Sequence, residues 1–232
     1  MIAIVTSCIK PIQSQDLIKS FVSLEEREQQ TAYTLQRLKE IGFKLIILAD
    51  NSDAYDYSRL GSAIDGVKVV HFRQYQFPNK GINEILMLLS VLDEIPANTS
   101  IFKISGRYFP TESFLSNMDL NADFKVRGGF KGKVPTITTR AYFVRNKQIY
   151  EDFLLYSLNE VHSYNYRIVG LRSFLNFIKE FFRPSLRATS HIAIEFACGR
   201  VLKKGHFTYQ QVEKLHIKGQ IAGIAGEQLI EE

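Results

Sequence analysis

An arginine follows directly on an apolar stretch of the chain, and its position raises the first chemical question. The sequence IFKISGRYFP covers residues 101–110, where an apolar run predicts a buried strand that ends at Ser105-Gly106-Arg107-Tyr108. In open parallel sheets the ligand binds outside the carboxyl ends of the strands. Arg107 therefore occupies a position where ligand contact is expected, although a turn with a solvated arginine would have the same sequence.

The charge around this arginine favours an anionic ligand. The chain of 232 residues has a formal net charge of +5, and residues 103–147 hold nine Lys and Arg against three Asp and Glu. A basic segment of this kind suits a nucleotide diphosphate, an acidic lipid or a nucleic acid. The basic residues do not follow one helix face, and no nucleic-acid-binding motif is present, so nucleic acid is not an expected partner.

A second polar pair follows another predicted strand. The sequence LIILADNSDA covers residues 45–54, where the apolar run leads into Asp50 and Asn51. Because the carboxyl ends of parallel strands meet at one edge of a sheet, Asp50 and Arg107 are expected at the same edge. This edge is the predicted ligand site.

The elements that position these loops alternate between strand and helix. Apolar residues at helical spacing predict helices over 24–41 and 79–95. Apolar runs predict strands at 2–7, within 43–54, at 67–72 and at 99–105. This order predicts a single α/β domain with a mostly parallel central sheet flanked by helices.

The second half of the chain is less regular. Its patterns predict strands at 124–130 and 136–146, and helices at 148–162, 172–182 and 191–205. The glycine-rich tail, residues 216–232, is predicted to lack regular structure.

The remaining composition predicts a cytoplasmic protein. Cys8 and Cys198 lie in apolar contexts with no metal-ligand spacing, which predicts two buried thiols in a reducing compartment. No apolar stretch reaches the roughly 20 residues of a membrane span. The first residues lack the basic region and cleavage site of a signal peptide.

Four segments carry a family resemblance, in this order: IAIVTSCIKP, LIILADNSDA, NKGINEILMLLSVL followed by IFKISGRYFP, and AIEFACGRVLKKGHFTY. Together they resemble the GT-A-fold glycosyltransferases, which use nucleotide sugars. They are similar to the family's nucleotide-contacting first loop, its aspartate loop, its Gly-Lys helix with the Asp-x-Asp strand, and its acidic motif. The resemblance implies sugar transfer from a nucleotide-sugar donor to a glycan or lipid-linked acceptor. Residues 1–110 would form the donor-binding half and residues 111–232 the acceptor-binding half of one continuous domain.

The resemblance also implies the roles of individual residues. Arg107 stands where the family has its metal-binding Asp-x-Asp, and a guanidinium can stabilise a leaving diphosphate without a metal, so no cofactor is expected. Glu195 matches the family's acidic residue and would be the general base of an inverting displacement. The other residues implied at the donor are Thr6, Ser7, Arg27, Asp50, Asn51, Lys80, Ser105, Gly106 and Tyr108.

Two later segments have a functional and a structural interpretation each. His216 and Lys218 lie in the glycine-rich tail, which would close over the donor as a lid or simply fray. Residues 172–187 carry phenylalanines at near-helical spacing among basic side chains. Such a helix would contact the inner face of the membrane, or pack in the core or in a dimer.

Two other functions remain open from the sequence. A nucleotidyltransferase that makes an activated sugar usually has a glycine-rich basic loop after its first strand, whereas TSCIKPIQSQ has only Lys10 and no glycine. A non-catalytic binding protein on a decayed transferase fold is compatible with the loss of Asp-x-Asp.

Overall fold

A computed structural model gives the fold of the chain. It describes residues 1–12, 22–75, 79–131, 134–164, 192–220 and 229–232, together with positions 171, 174, 175, 178 and 182. Most of the predicted membrane-contacting helix, residues 172–187, lies outside the described residues. Within the described part of the chain, no helix is long and apolar enough to cross a membrane.

The described elements follow the predicted alternation. The helices are α1 (Leu24–Ile41), α2 (Lys80–Ser90), α3 (Lys147–Tyr164) and α4 (Ile194–Lys203). The strands are β1 (Ile2–Ser7), β2 (Ile46–Asp50), β3 (Lys68–His71), β4 (Ile101–Ser105), β5 (Tyr108–Pro110), β6 (Phe124–Gly129), β7 (Thr136–Ile137), β8 (Ala141–Val144), β9 (Tyr209–Val212), β10 (Ile217–Gln220) and β11 (Leu229–Glu231). Short 3₁₀ helices lie at Tyr57–Ile64, Leu92–Glu94 and Glu112–Asn117.

The central sheet has the strand order β3-β2-β1-β4-β8-β6-β7, with β9 paired to β6. The first four strands are parallel, and β8 lies antiparallel to both β4 and β6. Helices α2, α3 and α4 contribute to the apolar core on one face, and α1 and β5 contribute to the core on the other. The predicted α/β fold with a mostly parallel sheet is confirmed.

The register brings the predicted strand ends together. Ser7 at the end of β1 pairs with Asp50 at the end of β2, and Thr6 pairs with Ser105 at the end of β4. These ends form one edge of the sheet, called the carboxyl edge below. The loops that follow β1, β2 and β4 therefore lie side by side, as the sequence predicted.

Local sequence explains where the first helix begins and ends. Ser23 and Glu26 form a capping box, in which each side chain accepts a hydrogen bond from the other residue's backbone amide. Gly42 ends the helix with a φ of +97°, a left-handed conformation that glycine adopts without steric penalty. The predicted helix and its stop at Gly42 are confirmed.

The prediction of an irregular tail is wrong. Strand β10 pairs with β5 on one side and β11 on the other, which forms a separate three-stranded antiparallel sheet, the small sheet. A Cβ at Gly219 would lie 2.3 Å from the Arg107 carbonyl oxygen. This glycine therefore permits close packing of β10 against β5, where composition alone indicated mobility.

Two smaller predictions about elements also change. The single strand expected over 136–146 is two strands, β7 and β8, which pair with β6 along different parts of its length. The helix expected over 79–95 ends at Ser90 and is followed by a 3₁₀ turn. In each case the apolar pattern located the segment but not the break inside it.

Both cysteines are free thiols, but the prediction that both are buried holds only for Cys198. Cys198 is buried in α4, whereas Cys8 is only partly buried. Burial raises the pKa of the Cys198 thiol to about 12, which makes this thiol a poor nucleophile near neutral pH.

Candidate functional site

Backbone hydrogen bonds to β1 and to the residue before β8 hold the turn that carries Arg107. The amide of Gly106 donates to the Thr6 carbonyl (2.8 Å), and the amide of Ser105 donates to the Arg140 carbonyl (2.7 Å). These bonds fix the turn at the carboxyl edge, where β4 ends and β5 begins. The Arg107 guanidinium therefore extends from a rigid backbone.

Arg107 is a partly buried cation that forms no ion pair with any of the described residues. Burial lowers the pKa of its guanidinium, and the positive charges of Arg27 and Arg140 act in the same direction. A guanidinium stays protonated at physiological pH despite such shifts. Arg107 thus has unused capacity to bind an anion.

The two neighbouring arginines are held by the protein itself. Arg27 donates from Nη1 to the Cys8 carbonyl oxygen at 2.8 Å. Arg140 forms an ion pair with Glu232, which is 4% exposed. Its guanidinium carbon also lies 5.6 Å from the ring centroid of Tyr108. Both positive charges act on Arg107, and that of Arg140 is partly offset by Glu232.

A pocket of about 350 Å³ opens beside Arg107, between α1 and the small sheet. Tyr33 of α1 and Phe109 of β5 meet edge to face in its wall, with their ring centroids 4.6 Å apart. The pocket is lined by Gln29, Gln30, Tyr33, Arg107, Phe109, Gln220 and Leu229. Arg107 therefore borders a space large enough for a small molecule.

Asp50 is enclosed by the protein. Its carboxylate is 0% exposed and accepts hydrogen bonds from the amides of Ile9 (3.3 Å) and Ser52 (2.8 Å) and from the Tyr57 hydroxyl (3.0 Å). These bonds join the loop after β1 to the loop after β2. The structure thus gives Asp50 a role in holding the two loops together, and its direct contact with a nucleoside stays a prediction.

Replacing Asp50 by alanine is expected to lower the free energy of unfolding by about 3 kcal/mol, because two buried amide donors and the partly buried Tyr57 hydroxyl lose their acceptor. Urea unfolding measures this loss. Asp53→Ala is the matched control, since Asp53 lies in the same loop with an exposed side chain. Equal stability of the two variants would contradict the structural role, and weaker nucleotide binding with unchanged stability would point to direct contact.

The neighbouring Asn51 offers a polar atom toward the same edge. The backbone amide of Asn51 donates a hydrogen bond to the Ser7 carbonyl oxygen at 3.2 Å. The side chain is 6% exposed, and its carbonyl oxygen has no hydrogen-bond partner among the described residues. Buried polar atoms are normally paired, so this oxygen is a candidate acceptor for a ligand donor.

Several other predicted donor residues serve packing at the carboxyl edge. The hydroxyl groups of Ser7 and Thr31 lie 3.3 Å apart. A Cβ at Gly106 would lie 3.2 Å from the Thr31 hydroxyl oxygen, so this glycine permits a close approach of α1. Tyr108 is 1% exposed, and burial raises the pKa of its phenol. Donor contacts by these residues, and by Thr6 and Ser105 beside them, stay predictions.

Three predicted residues lie at the margins of the site. Lys80 begins α2, and its side chain is outside the described part of the structure. The His216 carbonyl accepts hydrogen bonds from the amide and hydroxyl of Thr111 at 2.9 and 3.0 Å. Lys218 lies within β10, paired with Phe109 and Glu231. A lid role for His216 and Lys218 stays a prediction, and residues 221–228 lie outside the description.

Glu195 lies in the first turn of α4 and is partly exposed. The Asn79 side chain donates to the Ile192 carbonyl (2.8 Å), and a Cβ at Gly81 would lie 2.7 Å from the Ile194 Cβ. The beginnings of α2 and α4 are thus packed together. Because α2 follows the parallel strand β3, its first turn lies at the carboxyl edge, and Glu195 is held at that edge too.

The sequence analysis missed a buried ion pair beside Glu195. Lys103 of β4 is 0% exposed, and its Nζ lies 2.5 Å from the Glu84 Oε1 of α2. Lys103 also donates to the Thr139 carbonyl. A lysine between Phe102 and Ile104 in a buried strand is an available signal. The net charge of the basic segment does not distinguish this buried lysine from the exposed ones.

The residues at the end of β4 do not fit the divalent cation of the GT-A family. Ser105, Gly106 and Arg107 supply no carboxylate, and Mg²⁺ or Mn²⁺ prefer oxygen ligands. The nearby Asp50 carboxylate is already occupied by internal donors. Across the described residues, no group of three His, Cys, Asp or Glu side chains is placed to hold a metal ion.

No protein-family model matches the chain, and no curated protein matches it in sequence. Among solved structures, the galactosyltransferase LgtC in complex with donor and acceptor sugar analogs is 8% identical in sequence and has a TM-score of 0.50. The alignment covers 94% of this chain and 86% of the LgtC chain. The inositol-1-phosphate CTP transferase from T. maritima is 13% identical in sequence and has a TM-score of 0.46. The alignment covers 90% of this chain and 83% of the transferase. The nucleoside-diphosphate-sugar pyrophosphorylase from Vibrio cholerae RC9 is 9% identical, covering 94% of each chain, with a TM-score of 0.45. The chain has a GT-A-like fold.

Proposed function

We propose that this protein is a glycosyltransferase that moves a sugar from a nucleotide-activated donor to a glycan or lipid-linked acceptor. The observation that carries the proposal is the partly buried Arg107 at the end of β4, which has no ion pair among the described residues. Glu195 shares the same sheet edge. The GT-A-like fold supports this interpretation, because ligands of open parallel sheets bind at the carboxyl edge, where Arg107 and Glu195 lie.

Arg107 would bind the diphosphate of the donor and stabilise the negative charge that develops as it leaves. A planar guanidinium can donate two parallel hydrogen bonds to phosphate oxygens. Arg27 and Arg140 would add long-range attraction for the diphosphate. This set of cations would replace the family's metal, and the reaction would proceed without one.

Glu195 would act as the general base. It would take the proton from an acceptor hydroxyl as the hydroxyl oxygen bonds to the anomeric carbon of the donor sugar. The bond from that carbon to the diphosphate breaks in the same displacement, so the configuration inverts and a nucleoside diphosphate is released. A lipid-linked acceptor would place the reaction at the inner face of the cytoplasmic membrane.

Thermal-shift screening with nucleotide sugars tests the proposal. A ligand present at 100 times its dissociation constant stabilises the folded state by about 2.7 kcal/mol. We expect at least one nucleotide sugar to raise the melting temperature equally with and without EDTA. Release of the nucleoside diphosphate from that donor is then measured on addition of candidate acceptors.

Three outcomes would contradict the proposal in different ways. A shift that disappears in EDTA would contradict the metal-free site. Stabilisation by a nucleoside triphosphate with pyrophosphate release would indicate a nucleotidyltransferase. No shift from any nucleotide or nucleotide sugar would favour a non-catalytic protein.

A further inference from the structure

Lys103 is a charged residue in the centre of the sheet. It lies in β4 between β1 and β8, opposite Ile4 and Tyr142, and none of its surface is exposed. Its Nζ lies 2.5 Å from the Glu84 Oε1, donates to the Thr139 carbonyl and sits 5.7 Å from the centroid of the Tyr142 ring. The ammonium is therefore paired, fixed in direction and shielded from water.

Stability alone does not account for this lysine. Burying an ion pair removes two charges from water, and apolar residues of similar volume are often at least as stabilising. The strand already has apolar neighbours at Phe102 and Ile104, both 0% exposed. An apolar side chain at position 103 would pack in the core without burying a charge. The presence of an ammonium group there therefore suggests a function other than stability.

The contacts of Lys103 lead to Glu195. Lys103 holds the backbone carbonyl of Thr139, whose hydroxyl donates to the Glu195 Oε1 at 3.4 Å. Thr139 is 7% exposed and lies in the short break between β7 and β8. Backbone hydrogen bonds hold Thr138 to Arg127 and Arg140 to Ser105, while among the described residues no strand pairing includes Thr139 itself. The bond from Lys103 therefore anchors the Thr139 carbonyl, which lies between these two attachments.

Electrostatic coupling places the same groups in one neighbourhood. The charges of Glu84, Glu195 and Lys103 all act on the pKa of the Cys198 thiol, on which burial is the largest influence. Glu84 also raises the pKa of Arg107, opposing the lowering by burial. Glu84 therefore interacts electrostatically with Arg107, and its partner Lys103 contacts the residue that bonds to Glu195.

We propose that Lys103 is a positioning residue that holds the Thr139 carbonyl, and through the Thr139 hydroxyl the Glu195 carboxylate, in place for the proton transfer. Glu84 is the counter-ion that pairs with the Lys103 ammonium and fixes its direction. The inference rests on the proposed function, because it assigns Lys103 to the orientation of that function's base.

The first experiment separates positioning from stability with a single and a double variant. Lys103→Met leaves Glu84 without its partner, so both the melting temperature and kcat should fall. Lys103→Met with Glu84→Gln removes both charges, so the melting temperature should recover. In this double variant kcat should remain roughly 10- to 100-fold below wild type, the effect expected of a misplaced group, with the donor KM nearly unchanged. Recovery of kcat along with stability would overturn the proposal.

Glu160→Gln is the matched control. Glu160 is 1% exposed and is paired with Arg200 and Lys204 of α4, the helix that also carries Glu195. This substitution should lower the melting temperature while kcat stays near the wild-type value. An equal loss of kcat would show that any weakened ion pair on α4 slows the reaction, and would overturn a specific role for Lys103.

Thr139 gives an independent variant pair with little risk to folding. Thr139→Val keeps the shape but removes the hydroxyl, so kcat should fall roughly tenfold. Thr139→Ser restores the hydroxyl and should restore most of kcat. Equal rates for the valine and serine variants would contradict a route through this hydroxyl.

Hydrogen exchange tests the anchor without any substrate. In the Lys103→Met, Glu84→Gln double variant, amides at 138–140 should exchange at least about tenfold faster than in wild type, because local opening is easier. Unchanged exchange there would overturn the anchoring role even if the wild type turned over no nucleotide sugar. Failure of wild-type turnover with faster exchange would instead contradict only the proposed function.

Discussion

Replacing Arg107 by alanine is expected to lower kcat/KM for the nucleotide sugar by about 10³-fold, the upper range for removing one preorganised donor from a developing negative charge. The guanidinium has no ion pair among the described residues, and burial already disfavours its charge. No internal partner is therefore left unpaired when it is removed. The melting temperature should stay equal to that of wild type or rise slightly.

The measurement is release of nucleoside diphosphate at saturating acceptor, together with the melting temperature of each variant. Arg107→Lys should recover little activity, since an ammonium cannot reproduce the planar fork. Arg145→Ala is the matched control, because Arg145 belongs to the same basic segment but follows β8 at the opposite edge of the sheet. Wild-type turnover in Arg107→Ala would contradict a role for Arg107 in the reaction.

The sequence predicted the carboxyl edge well because the signals there are local. Each of β1, β2 and β4 is a short apolar run that stops at polar residues, so strand and loop can both be located from neighbouring residues alone. Parallel strands then place Asp50 and Arg107 at one edge without further information. The register confirms this, with Ser7 opposite Asp50 and Thr6 opposite Ser105.

The directions of side chains could not be predicted in the same way. Asp50 follows its strand as a ligand-binding carboxylate would, yet donors from Ile9, Ser52 and Tyr57 enclose it. Ile9 is distant from Asp50 in sequence, and only the packing of β1 beside β2 brings the two together. A strand-end carboxylate can therefore be located from sequence, but its exposure depends on neighbours that the sequence does not identify.

The prediction for the glycine-rich tail was wrong for a related reason. Glycines at 219, 223 and 226 indicate mobility when composition is considered alone. In the structure, Gly219 lies where β10 crosses close to the carbonyl of Arg107, and β10 pairs with β5 more than 100 residues earlier. A glycine required by a distant backbone has the same local signature as one in a flexible loop.

Lys103 shows how an unexpected residue type can be informative. Phe102 and Ile104 face the core beside α1, whereas Lys103 points to the opposite face with Glu84 and Tyr142. The alternation of a strand predicts two buried faces here, and one of them carries a charge. The sequence of α2 contains a single acidic residue, Glu84, which is the partner of that charge.

The second large effect is expected for Glu195→Gln, which should lower kcat by about 10²- to 10⁴-fold, the usual contribution of a general base. Glutamine keeps the size and a hydrogen-bond acceptor for the Thr139 hydroxyl, so the fold and donor binding should be retained. The donor KM should therefore change little, because the lost interaction is made only as the proton moves in the transition state.

Glu25→Gln is the control matched to this substitution. Glu25 also lies in the first turn of a helix, where a carboxylate interacts favourably with the helix dipole, but it is exposed on α1. If Glu195 only interacted with the helix dipole, both variants would lose the same small amount of stability. Both would then keep the wild-type turnover. Loss of turnover in Glu195→Gln alone, at equal melting temperature, would identify the base, whereas full turnover would remove Glu195 from the mechanism.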